Sequence, residues 1–498
     1  MDANTLTLNS ESRQTLRQVA GLGMQRALLF AMGILAASLI PRRMGPQVYG
    51  QYSAMVTMSM WFSLMTGLGA VSLMTRFVPE FLARGDEHGL KKLASNLFAL
   101  RLVNGLLAAC AYLALAALWL KDLDRAAIAL VAVSIALRTA ANLPFTLFLG
   151  LNKAARWGAS DLLRRILIFP FVFFGFITAG LRGAAAGLLL VEFSALALGL
   201  WWGRDYLSLH LMKIDRAFLH PFLRFSAAFF ISNVLIMLFQ QGGTMLVRAI
   251  SGDYAEAGFY TIAFGAYLAG SQGVWKLLSA FGPLLSSLHT RNELDELEVW
   301  VGRLLKTLAI ASVLTAALVY SHSTLIVSTM LGPGFEPVAG LLPVLALAGL
   351  TVAPSGVARL LAVTYKEPSS SITGAAIQLV SFAGLGFLLI PRLGSRGACW
   401  VVFVSVVLFA CYSTWHMRRL LPYSLRRWLQ VVGLGAVLSP LLWALPANWP
   451  GARVWGSVLF AAAFLAALAA FRIAGLRDLR ALQLAFERVP AVPAGDPA

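Results

Sequence analysis

An all-α polytopic membrane protein of about fourteen transmembrane helices is the fold class this sequence predicts, and three observations predict it. Hydrophobic residues make up 59% of the 498 residues and charged residues only 12%, with a mean hydropathy of +0.76. Apolar segments of about 20 residues, the length a helix needs to span hydrocarbon, recur from end to end. The 40 Lys and Arg residues sit mostly in alternate connectors, as the positive-inside rule requires of a multi-pass chain. The alternation of a membrane β-barrel is absent. No cleavable signal peptide is expected, because the first apolar run is long and lacks a small-residue cleavage site.

The expected spans cover 19–40, 53–75, 94–119, 126–150, 162–180, 183–202, 225–249, 258–284, 305–330, 338–362, 372–391, 396–416, 428–446 and 454–472. The fifth and sixth are separated only by Gly180-Leu-Arg-Gly183. Arg84, Lys91, Lys92, Arg164, Arg165, Lys213, Arg216, Arg418, Arg419, Arg426 and Arg427 fall on the side of both tails. Both termini are therefore expected in the cytoplasm of a bacterium, with the chain in its inner membrane. The connector Pro41 to Tyr52 faces outward, its prolines and glycines ending one helix and its arginines keeping it out of hydrocarbon.

A related phrase returns in the second half. Gly50-Gln-Tyr52 aligns with Gly258-Phe-Tyr260, and Gly45 with Gly252 if one residue is inserted. This suggests one six-helix unit used twice: residues 1–204 as an N-terminal lobe, 225–420 as a C-terminal lobe, 421–473 as two added helices and 474–498 as a cytoplasmic tail. Between the lobes, 205–224 mixes Leu207, Leu209, Leu211 and Phe218 with Lys213, Asp215 and Arg216. It is read as an amphipathic cytoplasmic helix, with an ordinary solvated linker as the alternative. Residues 477–488 form a second short amphipathic stretch before a Pro- and Ala-rich end.

Enzyme signatures are missing, so no catalytic residue, metal or cofactor is assigned. There is no phosphate-binding loop, His-Glu-x-x-His or Gly-x-Ser-x-Gly. Cys110, Cys399 and Cys411 lie in apolar runs without metal or disulfide spacing. The net charge of +18 is spread over short loops, which fits membrane topology and gives no nucleic-acid patch. What remains is polar residues at membrane depth, each costly unless it meets water or a partner. Arg26, Arg138 and Lys276 lie deep in spans one, four and eight, and Gln240 and Gln241 near the middle of span seven. Arg248 lies nearer a span end, where snorkelling also explains it. Glu192 is the buried carboxylate, either a carrier of a coupling proton or a partner of Arg138 or another cation. Three deep cations against one carboxylate suggest a wet cavity that receives an anion.

Several of these stretches resemble one family. Arg43-Met-Gly-Pro-Gln-Val-Tyr-Gly-Gln-Tyr52, Gly67-Leu-Gly-Ala-Val-Ser-Leu-Met-Thr-Arg76, Leu223-Arg-Phe-Ser-Ala-Ala-Phe229, Ala257-Gly-Phe-Tyr-Thr-Ile-Ala263 and Leu331-Gly-Pro-Gly-Phe335 carry the likeness. In order and spacing they are similar to motifs of Wzx-type polysaccharide and oligosaccharide flippases, in the multidrug/oligosaccharidyl-lipid/polysaccharide exporter superfamily. The sequence departs from those motifs where Ala227 or Ala228 replaces a frequent Pro and where Phe335 replaces Tyr. The resemblance implies two six-helix lobes, two further helices and alternating access. It also implies a cationic cavity for an undecaprenyl-pyrophosphate-linked sugar, with membrane lipids and polysaccharide-assembly proteins as partners. Arg26 matches the first-helix position where relatives carry basic residues. On the same fold a drug exporter is the alternative, although its cationic substrates call for buried carboxylates. A membrane-embedded polymerase or ligase would carry a large outward loop, which this chain lacks.

Overall fold

The computed structural model describes residues 3–67, 70–279, 281–365, 367–444 and 451–471. Side chains are described from residue 31 onward except at 71–72, 154, 209, 216, 224–233, 283, 368–369 and 371. The chain divides into two compact units, one of residues 1–249 with 253–258 and the other of 250–252 with 259–498.

Inside hydrocarbon a backbone has no water to bond, so each segment satisfies its own N–H and C=O groups as helix. In the first unit α1 spans Ala3–Met65, α2 Ala70–Ala83, α3 Glu87–Trp119, α4 Arg125–Gly150, α5 Ala154–Gly203 and α6 Arg216–Ser251. Two of these hold two spans each. Helix α1 breaks at Gly45, between Pro41 and Pro46, with φ 74° and ψ 166°. Helix α5 breaks at Ala179 and Gly180, where Gly180 takes φ 58° and ψ −140°. Both are positive-φ conformations that glycine adopts without a Cβ clash. The α5 break falls at the expected fifth-to-sixth boundary. Its two arms close tightly through small residues, since a Cβ on Gly183 would stand 1.8 Å from the Gly175 carbonyl oxygen.

Capping fixes the helix starts. Asp86 accepts from the Gly89 N–H at 2.7 Å to open α3. Asp124 accepts from the Ala126 N–H at 3.2 Å to open α4. A hydrogen bond from Arg182 holds the Asp124 carboxyl below its usual range. One core cluster gathers Met55, Met58, Tyr112, Val131 and Ile135. Another gathers Leu73, Met74, Leu93, Leu143 and Leu219.

The 205–224 segment differs from the expected single amphipathic helix. It holds a 3₁₀ turn at Leu209–Leu211 and then enters α6. Polar groups of α3 compete for its backbone: Ser95 accepts from Ser208 N–H at 2.9 Å, while Asn96 donates to Leu211 C=O at 3.1 Å and accepts from Asp215 N–H at 2.9 Å. Asp215 then caps α6, and the Phe218 N–H, followed by Lys92, holds its carboxyl below the usual range. Helix α6 also groups with the first unit, because Phe222 packs edge-on against Phe77 at 4.7 Å and Leu219 is buried in that core. The division between units therefore falls between residues 249 and 259, across the end of α6 and the start of α7.

The repeated connectors meet within this first unit. Gln47 accepts from the Ala255 N–H at 3.2 Å. A Cβ on Gly50 would stand 1.7 Å from the Tyr254 carbonyl oxygen.

In the second unit α7 spans Tyr254–Ser279, α8 Gly282–Thr290, α9 Leu294–Met330, α10 Glu336–Gly349, α11 Val352–Thr364, α12 Pro368–Arg418, α13 Arg426–Leu438 and α14 Ala452–Ala470. The first turn of α7, to Gly258, groups with the first unit. Helices α10 and α11 are together long and apolar enough for one span and are bent by 43° at their junction. Helix α12 breaks at Gly394, φ 56° and ψ −134°, and so holds two spans as α5 does. Counted with these breaks, the fold is the all-helical membrane architecture of about fourteen spans expected from the sequence. One core of this unit gathers Leu278, Phe281, Leu285, Val301 and Leu361. Another joins α9, α13 and α14 through Val313, Val431, Phe460 and Phe464. The 477–488 stretch lies outside the described residues.

Candidate functional site

Helical spacing builds a polar face on each of two neighbours in the first unit. On α4, Arg138, Asn142 and Phe145 fall at i, i+4 and i+7. On the first arm of α5, Trp157, Asp161 and Arg164 follow the same spacing. These faces line a cavity of about 520 Å³, closed by Ser63 and Leu64 of α1, Arg101 of α3, and Met237 and Gln240 of α6.

The second arm of α5 supplies the counter-charge. Glu192, 7% exposed, receives Arg164 Nε on Oε2 at 2.9 Å and faces Arg138 Nε from Oε1 at 3.8 Å. Arg164 also donates to Asn142 Oδ1 at 2.9 Å. One carboxylate thus serves two guanidinium groups. Asp161 also lines the cavity, but it is exposed. The side chain of Arg138 keeps a third of its surface open while that of Arg164 keeps 12%. In a site of restricted water, the excess positive charge favours an anion, and a guanidinium fork fits the paired oxygens of a phosphate.

Arg101 has a different task. It is 5% exposed and donates to the carbonyl oxygens of Gly67 at 2.6 Å and Thr139 at 3.4 Å. The Gly67 carbonyl stands in the gap between α1 and α2, where it also accepts from the Ala70 N–H at 3.0 Å. Arg101 therefore ties α3 both to that gap and to the α4 backbone at Thr139. Thr66 and Thr139 share a hydroxyl contact at 3.0 Å beside it.

The sequence-expected residues scatter around this site. Arg138 and Gln240 line the cavity and Glu192 sits behind it. Gln241 is half-buried and outside the lining. Arg26 lies on α1 at a position whose side chain is outside the described residues. Lys276 belongs to the second unit, exposed on α7. Arg248 does not reach the cavity: it bonds Asp122 at 3.3 Å and lies 4.0 Å over the Tyr254 ring. That pairing arises because Arg248 stands less than one turn from the end of α6, beside the α3–α4 connector.

Sequence reasoning missed Arg101 and Arg164. Arg164 reads as a connector residue when the span starts at 162, whereas α5 begins at Ala154, about 12 Å of helix earlier. Arg101 sits in an otherwise apolar run and was discoverable as such. Among the described residues no group of three or more His, Cys, Asp or Glu is placed to hold a metal.

Comparison with known proteins agrees with this architecture. The structure is similar to the lipid II flippase MurJ in an inward closed conformation, with a TM-score of 0.68, 13% identity, and coverage of 91% of this chain and 99% of that one. It is also similar to an inward-facing multidrug resistance MATE family transporter of the MOP superfamily, with a TM-score of 0.63, 16% identity, and coverage of 80% and 94%. A MOP superfamily transporter from Pyrococcus furiosus, whose description notes a reversed polarity of its binding pocket, gives a TM-score of 0.55 at 16% identity, with coverage of 81% and 93%. No curated protein matches the sequence. At these identities the likenesses establish the fold alone. A family model described as polysaccharide biosynthesis protein matches residues 17–289, more than half of the chain. The chain is thus a multi-pass membrane protein of the transporter fold shared by these structures, and it belongs to the polysaccharide biosynthesis protein family.

Proposed function

We propose that this protein flips an undecaprenyl-pyrophosphate-linked oligosaccharide from the cytoplasmic to the outer leaflet of a bacterial inner membrane, by alternating access. The observation that carries the reading is the pair Arg138 and Arg164, which share Glu192 and open onto a cavity of about 520 Å³. A pyrophosphate with a hydrated sugar head cannot cross hydrocarbon unaided, because each hydroxyl would lose its hydrogen bonds. A wet cationic cavity exchanges those bonds for protein and trapped water, and the guanidinium groups meet the head group's negative charge. Family membership supports a lipid-linked saccharide as cargo. In this reading the cargo crosses by alternating access, no catalytic chemistry is involved, and polysaccharide-assembly proteins act on the delivered substrate.

The test is complementation of a strain that lacks the gene, with protein level followed by immunoblot. Arg138→Ala, which leaves the Arg164–Glu192 pair intact, should lose polymer export by at least about tenfold at near-normal protein level, since it removes a charge-assisted contact. Arg138→Lys should retain partial activity, having charge without the planar fork. Arg26→Ala and Lys276→Ala extend the series to the two cations read from sequence. Normal export from all of these variants rejects the reading. Protection against cationic drugs, with no defect in polymer export, would instead favour a drug exporter.

A further inference from the structure

The second unit contains a groove with two chemistries along its length. It lies between α10–α11, α12 and α13 and has a volume of about 670 Å³, within the roughly 300–1,000 Å³ of ligand pockets. Its wall is apolar where Leu347, Leu350, Phe403 and Val407 line it. Its mouth is basic: Arg418 and Arg419 end α12, and a second hollow there adds Ser424 and Arg426 at the start of α13.

Trp415 and Trp428 stand between the two zones, and the Arg419 guanidinium lies 3.6 Å over the Trp415 ring. Tryptophan favours the border between acyl chains and head groups. Arg418, Arg419 and Arg426 are exposed, and among the described residues no carboxylate pairs with them. Three guanidinium groups gathered at the end of an apolar channel complement a ligand with one anionic head and an acyl tail. An ammonium-bearing head group would meet the same three charges as repulsion.

We propose that this groove is a binding site for an anionic glycerophospholipid, its phosphate held by Arg418, Arg419 and Arg426 and an acyl chain laid along Val407 and Phe403. The site is separate from the arginine cavity of the first unit and does not depend on which lipid-linked cargo is moved. Basic pockets between transmembrane helices recognise anionic lipids in this way.

The full-length protein, delipidated in detergent, is titrated with phosphatidylglycerol and with phosphatidylethanolamine of the same acyl chains, and bound lipid is counted by native mass spectrometry. One phosphatidylglycerol should be retained with an affinity at least about tenfold above that of phosphatidylethanolamine. The triple variant Arg418→Ala, Arg419→Ala, Arg426→Ala should lose that preference, and Arg84→Ala should keep it. Val407→Trp, which fills the groove and leaves the arginines, should lower retention of both lipids. Melting temperature and gel filtration show which variants are folded. Equal retention of the two lipids by the wild-type protein overturns the proposal without reference to any variant. So does full retention by a folded triple variant, displacement by millimolar inorganic phosphate, or displacement by equimolar undecaprenyl phosphate, which would make the groove a bare anion site or a cargo-lipid site.

Discussion

Glu192 receives Arg164 at 2.9 Å and lies 3.8 Å from Arg138, so its loss strands two cations at once. Removing one member of a buried ion cluster leaves uncompensated charge, at a cost of roughly 3 kcal/mol, less where water reaches the orphaned group. Glu192→Gln should therefore lower the melting temperature in detergent. Adding Arg164→Gln should restore much of it, a coupling that a double-mutant cycle measures. If Glu192 carried a proton as its main task, the single variant would lose transport with unchanged stability. At this scale the sequence was partly legible. Arg138 and Glu192 stood out because a charge in an apolar run is rare. Arg164 did not, because its depth depends on a helix start that composition places eight residues too late. Arg248 was ambiguous because its partner Asp122 is distant in sequence.

Helix breaks form the next level. Gly50 stands in α1 where any side chain would drive into the Tyr254 carbonyl. Gly50→Val should cost roughly 1–3 kcal/mol through overpacking, read as a lower melting temperature and reduced protein level, while Gly33→Val, at a position with open space around its Cα, should be tolerated. Most breaks were written in the sequence as Gly and Pro, including Gly45 and Gly180. The bend between α10 and α11 likewise follows Gly349, and the gap after Met65 holds Gly67 and Gly69. In the second case Arg101 of another helix adds a bond to the Gly67 carbonyl, and local composition carries no record of that remote donor. The 205–224 segment shows the same effect. Its amphipathic pattern is real, but Ser95 and Asn96 claim its backbone and replace one helix with a 3₁₀ turn and a cap.

For the whole molecule, hydropathy and charge bias carried the architecture because the bilayer leaves a chain few choices. They also predict sidedness. Single cysteines at Gln47 and at Asp86, in a background without native cysteines, should differ toward an impermeant maleimide. In cells with a permeabilised outer membrane, Gln47→Cys should label and Asp86→Cys should not. The reverse pattern would place both termini outside. What the sequence does not convey is the packing of the start of α6, where Leu219 and Phe222 join α2 and α3.

Gly180 and Gly394 share nearly the same dihedrals, φ 58° with ψ −140° and φ 56° with ψ −134°. Inverted in sign, these are the angles of an ordinary polyproline II residue. At each hairpin, then, the chain takes one step of opposite handedness, open to an achiral residue and closed to L-amino acids. Gly180→Ala or Gly394→Ala should cost roughly 1–3 kcal/mol. A D-alanine placed at Gly394 by peptide ligation should restore the melting temperature that its L-enantiomer lowers. Each hairpin thus turns on a backbone step whose mirror image is the one L-residues favour, and glycine is the residue that takes it without strain.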